Sequence, residues 1–394
     1  MNKQRTLAQD AAKGLMIIAV IFFHCYLTTF AVPVDALSQF SLLSAFFPFL
    51  LSSFFFYAGY NFTPNERTFK QNVARRAKQL LLPLAVAFVI STLLIGSMEL
   101  IFDHSDVAFT FQKIGNTILY GLLSEPLAIM SGFAANHAFI FELIIALGLL
   151  WFLYALFICS VFFYLLVKFT NRSLATLLSV DAALLILAFC IGQFIGVYLP
   201  YTVQCYPVIL AIMLTAAYLR QSHFLNRRLV TKKDKIFIVI NALVAEGIIV
   251  ATCILCYRLF GATTTGSLPG GKFDESLKGF DAFITFAFSI LGTFFLHSVC
   301  RLVKFVPVLR TCLQWVGNHS AIFYLFHPIF LDLVLIVIFK KEIIWGHAQA
   351  YFMVFVVVAL LVGVGLLLDL IFKRRHNNED VNEIVRKHEA PEDI

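Results

Sequence analysis

Charge is scarce in this chain. Only 13% of its 394 residues are Asp, Glu, Lys or Arg, against 60% hydrophobic residues, and the mean hydropathy is +0.87. Such a composition excludes a soluble globular domain. Loop motifs of common hydrolytic chemistry are missing too. There is no G-x-x-x-x-G-K-[ST] phosphate loop, no G-x-S-x-G elbow and no H-E-x-x-H pair. NTP hydrolysis, ordinary serine-hydrolase chemistry and zinc proteolysis therefore have no local support. Of the eight cysteines, only Cys253 and Cys256 have C-x-x-C spacing, and they sit in an apolar run without flanking ligands. All eight read as small hydrophobes rather than a metal or redox framework. The first apolar run is long enough to span a bilayer and no small-residue cleavage site follows it, which argues against a removable signal peptide. No soluble domain and no repeat of fixed period is found.

What is present is a series of long apolar runs with many of the 44 phenylalanines suited to lipid or packing contacts. The pattern predicts an all-α integral membrane protein with about ten transmembrane helices, roughly 13–32, 41–61, 79–101, 148–168, 179–199, 204–220, 236–259, 281–303, 317–339 and 348–372. Sorting Lys and Arg by alternate loops puts 24 of the 30 on one side. The other side keeps only Lys113, Arg258, Lys272, Lys278, Lys340 and Lys341. The positive-inside rule then predicts both termini cytoplasmic. It also explains the net charge of +7 without nucleic acid as a partner. Residues 1–375 read as one polytopic domain of a multi-pass cell-membrane protein, and 376–394 as a short polar cytoplasmic tail. The longest connection, about 102–147, carries Asp103, His104, Asp106, His137 and Glu142 on the expected outer side, and 263–272 reads as a turn-rich loop.

The stretch D-A-A-K-G-L-M-I-I-A-V-I-F-F-H (10–24) opens the first run. Asp10 is placed to cap the helix. Lys13 and His24 lie eleven positions apart, which returns to nearly the same helix face after a rise of about 16 Å. A cation at the membrane edge and an imidazole near the midplane then look along one stripe. Glu246 and His327 also fall near mid-depth, and Ser320, Tyr324 and His327 share a face at i, i+4, i+7. Pro328 lacks the N–H its turn needs, which loosens the helix beside His327. Intramembrane ionisable groups are functional candidates by default, with polar groups satisfied by a neighbouring helix as the plainer alternative. Arg75, Arg76 and Lys78 form a second basic cluster before the third span. They suit either anchoring on anionic lipid or holding phosphates.

Several of these stretches together resemble the integral-membrane acyltransferase-three family, whose members typically O-acetylate cell-surface glycans. The first helix is similar to the family's pattern of a basic residue, ten others, then histidine, here Lys13 and His24. F-F-F-Y-A-G-Y (54–60), R-A-K-Q-L-L-L-P (76–83), L-W-F-L-Y-A-L-F (150–157) and G-N-H-S-A-I-F-Y-L-F-H (317–327) resemble its further signatures. Two positions depart: Lys13 stands for the usual arginine, and Gln79 for the second arginine of a pair with Arg76. Lysine keeps the charge but loses the bidentate fork.

The resemblance implies a membrane O-acyltransferase moving an acyl group, foremost acetyl, from cytoplasmic acyl-CoA to a hydroxyl of a cell-surface or lipid-linked glycan. It implies no bound cofactor and no metal, with acetyl-CoA as a substrate. Lys13, Arg75, Arg76 and Lys78 would hold the donor, and His24 would act as general base in preference to acyl carrier. Glu246 would orient or polarise a partner, while Ser320, Tyr324 and His327 would line the acceptor's passage. The partners are then acyl-CoA, a glycan or lipid-linked sugar and membrane lipids. The alternative from another class is a transporter or flippase using the midplane His and Glu as an ion relay, which predicts matching interrupted helices.

Overall fold

The computed structural model describes residues 7–29, 49–62, 68–102, 151–169, 173–194, 200–221, 232–260, 277–303, 305–339 and 347–389. The helices are α1 (Leu7–Thr29), α2 (Leu50–Tyr60), α3 (Phe69–Phe102), α4 (Trp151–Phe169), α5 (Leu174–Phe194), α6 (Tyr206–Gln221), α7 (Lys232–Phe260), α8 (Asp281–Val303), α9 (Pro307–Asn318), α10 (Ser320–Val337) and α11 (His347–Glu389). Short 3-10 turns, Pro200–Cys205 and Lys278–Phe280, lead into α6 and α8.

The all-α expectation holds, but about ten spans is too many. Among the described residues six helical stretches are long and apolar enough to cross a membrane: Leu7–Cys25, Leu174–Phe194, Val203–Arg220, Lys232–Phe260, Lys278–Val303 and Ala348–Ile371. Leu50–Tyr60, Phe152–Lys168 and Ser320–Leu331 are apolar but shorter. The reasons are local. The eleven residues of α2 rise about 16 Å, roughly half a hydrocarbon core. The predicted span 317–339 is interrupted at its start, because Gly317 and Asn318 close α9 and a new helix begins at Ser320. The side assigned to each terminus rested on alternate loops of a ten-span count, and it falls with that count. The polar segment after Arg375 continues α11 as far as Glu389, so no helix boundary occurs at 375. The connection 103–147 and the loop 263–272 lie outside the described residues.

α1 is the hub. It packs most extensively on α9 and also touches α11, α8, α10 and α2. α6 is the most enclosed of the spanning helices and lies against α2, α5, α8 and α4. α7 packs chiefly on α8 and presents Phe237, Ile240, Leu243, Val244 and Ile248 outward, as a helix facing lipid does.

Small residues set the closest crossings. A Cβ added to Gly14 would stand 2.0 Å from the Leu313 carbonyl oxygen, and one added to Gly317 only 1.8 Å from that of Asp10. The backbones of α1 and α9 therefore meet where only glycine fits, the small-residue mode of packing in lipid. Gly59 does the same for α2 against Met213 of α6, at 2.3 Å.

Polar side chains fasten the bundle where hydrocarbon offers no partner. Thr285, Ser289, Thr293 and His297 recur every fourth residue on the buried face of α8. Thr293 donates to Ser53 Oγ at 2.8 Å, and Tyr57 meets His297 Nδ1 at 3.3 Å. Thr215 of α6 donates to Asp181 of α5 at 2.6 Å. Near the end of the apolar part of α11, Asp369 accepts from Trp315 Nε1 and His319 Nε2, both at 3.0 Å, tying α11 to the junction of α9 and α10.

Gly317→Ala should lower the thermal unfolding midpoint of the detergent-solubilised protein, with a cost of about 1–3 kcal/mol for forced overpacking. Gly247→Ala on α7, where an added Cβ meets nothing within 4 Å, is the control expected to unfold as the parent does. Equal midpoints for both variants would mean that the α1–α9 crossing is not close-packed.

Candidate active site

The crossing at Gly14 and Gly317 fixes how α1 runs past the start of α10, and nearly three turns further in, the helices bring their histidines together. His24 Nδ1 lies 2.8 Å from His327 Nε2. The ring planes differ by 6° with centroids 5.0 Å apart, as an in-plane N–H···N hydrogen bond requires. His327 is fully buried, whereas His24 remains partly exposed. On its far side, His327 Nδ1 lies 2.8 Å from the Tyr324 carbonyl oxygen and 3.1 Å from that of Phe323. The Tyr324 ring packs on His327 at 5.8 Å and on Phe152 at 5.3 Å.

Pro328 stands inside α10 without ending it. In a regular helix the Tyr324 carbonyl would accept from the N–H of residue 328, which proline lacks. That carbonyl is instead met by the His327 imidazole. The turn expected to be loosened is thereby used to hold a side chain.

Asp10 lies within the first turn of α1 rather than capping it, because the helix already runs from Leu7. Its carboxylate is 3.8 Å from Lys13 Nζ, and both side chains are largely buried. Lys13 and His24 do share one unbroken helix. Arg75 and Lys78 are exposed, and Arg76 is half-buried beside a small pocket lined by Phe62, Asn72, Ser160 and Tyr164. Their helix, α3, packs on α4 and α10 and shares no extensive surface with α1, so the three are not gathered around Lys13. Ser320 is half-buried at the start of α10, and Tyr324 is buried beside the histidines. Glu246 is on α7, whose main partner is α8, and it is not brought to the histidine pair. Its Oε2 is buried with no hydrogen-bond partner among the described residues. Nor does any group of three or more His, Cys, Asp or Glu side chains gather as a metal site there.

Besides Asp281 at the start of α8, Asp181 and His297 lie buried within the bundle. The signal that marks them is the one that marks His24, an ionisable residue inside an apolar run. In the Trp315–His319–Asp369 cluster, Asp369 carries the same signal, an acid inside the apolar run Ala348–Ile371, but its pairing with a segment about fifty positions away is not written in the sequence.

Because Glu246 sits apart from the histidines, Glu246→Gln should keep most of the chain's activity in cells. A loss as complete as that of a His24 variant would place the carboxylate in the reaction itself.

A family model described as an acyltransferase domain matches residues 7–368, which takes in both histidines and, among the described residues, all six spanning stretches but the last three residues of Ala348–Ile371. No curated protein and no solved structure matches the chain. With a match running from the first residue of α1 almost to the polar end of α11, and the paired histidines inside it, this multi-span chain belongs to the acyltransferase-three family.

Proposed function

We propose that the protein is a membrane-embedded O-acyltransferase that moves an acyl group, foremost acetyl, from acyl-CoA to a hydroxyl of a cell-surface or lipid-linked glycan at the cell membrane. The observation that carries this reading is a partly exposed imidazole held by a second, buried imidazole inside the bundle, within a chain of an acyltransferase family. His24 acts as the general base. It takes the acceptor's hydroxyl proton as the oxygen attacks the thioester carbonyl carbon. The new C–O bond forms, the C–S bond breaks, and the proton passes to the departing coenzyme A thiolate. No metal and no bound cofactor is needed for that balance.

Lys13 is the donor-side cation of this reading, about 16 Å along α1 from His24. Coenzyme A is a long molecule, so its phosphates and thioester need not meet the same helix turn. Arg76, beside its pocket, and the exposed Arg75 and Lys78 offer further charge to phosphate. Tyr324 and Ser320 lie on the same α10 face as His327 and suit the acceptor's approach.

Mass analysis of surface glycans from cells carrying His24→Ala should show acylation lost while the protein is still inserted and donor binding persists, since a general base acts in the transition state. Wild-type product from a normally expressed His24→Ala would end the assignment of His24. For the donor, Lys13→Arg should bind coenzyme A at least as well as the parent. Lys13→Met should weaken titrated coenzyme A by about 1–3 kcal/mol, the scale of a lost hydrogen bond to a charged group. Equal affinities would remove Lys13 from the donor side.

A further inference from the structure

We propose that His327 is a positioning residue that fixes the tautomer of His24, making Nε2 of His24 the basic nitrogen. The proposal rests on reading His24 as the base, and it departs from a mere lining role for His327.

The hydrogen-bond chain runs outward from the backbone. Carbonyl oxygens only accept hydrogen bonds, and His327 Nδ1 faces two of them, those of Tyr324 and Phe323. Nδ1 of His327 therefore carries a proton. His327 is 0% exposed, and among the described residues no carboxylate pairs with it. A charged ring there would be a buried cation without a counter-charge, so the ring is neutral. In a neutral imidazole one nitrogen donates and the other accepts. His327 Nε2 is then an acceptor, and at 2.8 Å its donor is His24 Nδ1–H. His24, neutral in its resting state, is left with its lone pair on Nε2, on the ring edge away from His327.

The chain of causes begins with Pro328. Its missing N–H leaves the Tyr324 carbonyl without its helical donor, the carbonyl orients His327, and His327 orients His24. The relation matches the role a hydrogen-bonded partner plays for any histidine base, which is to choose the nitrogen that titrates. The partner here is a second imidazole, neutral and sealed from lipid and water. When Nε2 takes the acceptor's proton, the imidazolium of His24 still donates to His327 through Nδ1, so the developing charge is met by an acceptor already in place.

The test uses the full chain in lipid nanodiscs with nitrogen-15 labelled histidine, and assigns the His24 signals by their loss in His24→Ala. The parent should show a protonated Nδ1 and an unprotonated Nε2 on His24. His327→Gln can place an amide oxygen near the site of Nε2 and should keep that signature together with most glycan acylation. His327→Leu, similar in bulk but without an acceptor, should lose the single tautomer and lower acylation on the order of 10²-fold, the lower range for general base catalysis. Titrated coenzyme A should bind all three proteins alike. A parent His24 protonated on Nε2 would overturn the proposal, as would equal loss of acylation in His327→Gln and His327→Leu with the parent signature intact. If His327→Leu scrambles the tautomer yet acylation persists, the positioning stands as geometry and His24 as base is what fails.

Discussion

A polar group inside hydrocarbon has no water to fall back on, so it keeps whatever partner the fold provides. Here the partners between spanning segments come from different helices. Asp181 of α5 is met by Thr215 of α6, Thr293 of α8 by Ser53 of α2, His297 of α8 by Tyr57 of α2, and His24 of α1 by His327 of α10. These contacts join α5 to α6, α2 to α8 and α1 to α10. Dispersion and small-residue crossings then set the spacing, because lipid tails give apolar side chains little reason to prefer one another. The Gly14–Gly317 contact is the tightest of these, and it decides where α10 begins relative to α1.

The histidine pair differs from the other fasteners in two respects. One member remains partly exposed while the other is sealed. Its inner end terminates on a carbonyl that a proline has released from helix bonding. A structural pair needs neither feature. An imidazole oriented by a sealed partner is what the proposed base requires, and the pair lies within the stretch that matches the family.

The basic residues proposed for the donor are placed differently. Lys13 lies against Asp10 in the first turn of α1, whereas Arg75, Arg76 and Lys78 belong to α3, which packs on α4 and α10. Basic residues at a membrane edge are drawn there by water and lipid headgroups, so shared sign and level do not imply a shared pocket. Glu246 makes a similar point from the membrane interior. Depth along α7 could be read, but the direction of the side chain relative to α1 could not.

By itself the sequence determined the all-α membrane class, the unbroken helix carrying Lys13 and His24, the shared face of Tyr324 and His327, and membership in the family, because each depends on local composition, helical period or short ordered motifs. It overstated the number of spans, since hydropathy reports apolar length and not where backbone hydrogen bonding stops, as at the break between Gly317 and Ser320. Only the tertiary structure decided which polar residues meet. His24 and His327 are 303 positions apart, and no periodicity links two helices so distant in the chain. Their contact follows from two glycines that let α1 and α9 touch and from a proline that turns a carbonyl toward an imidazole, and those effects act through space rather than along the sequence.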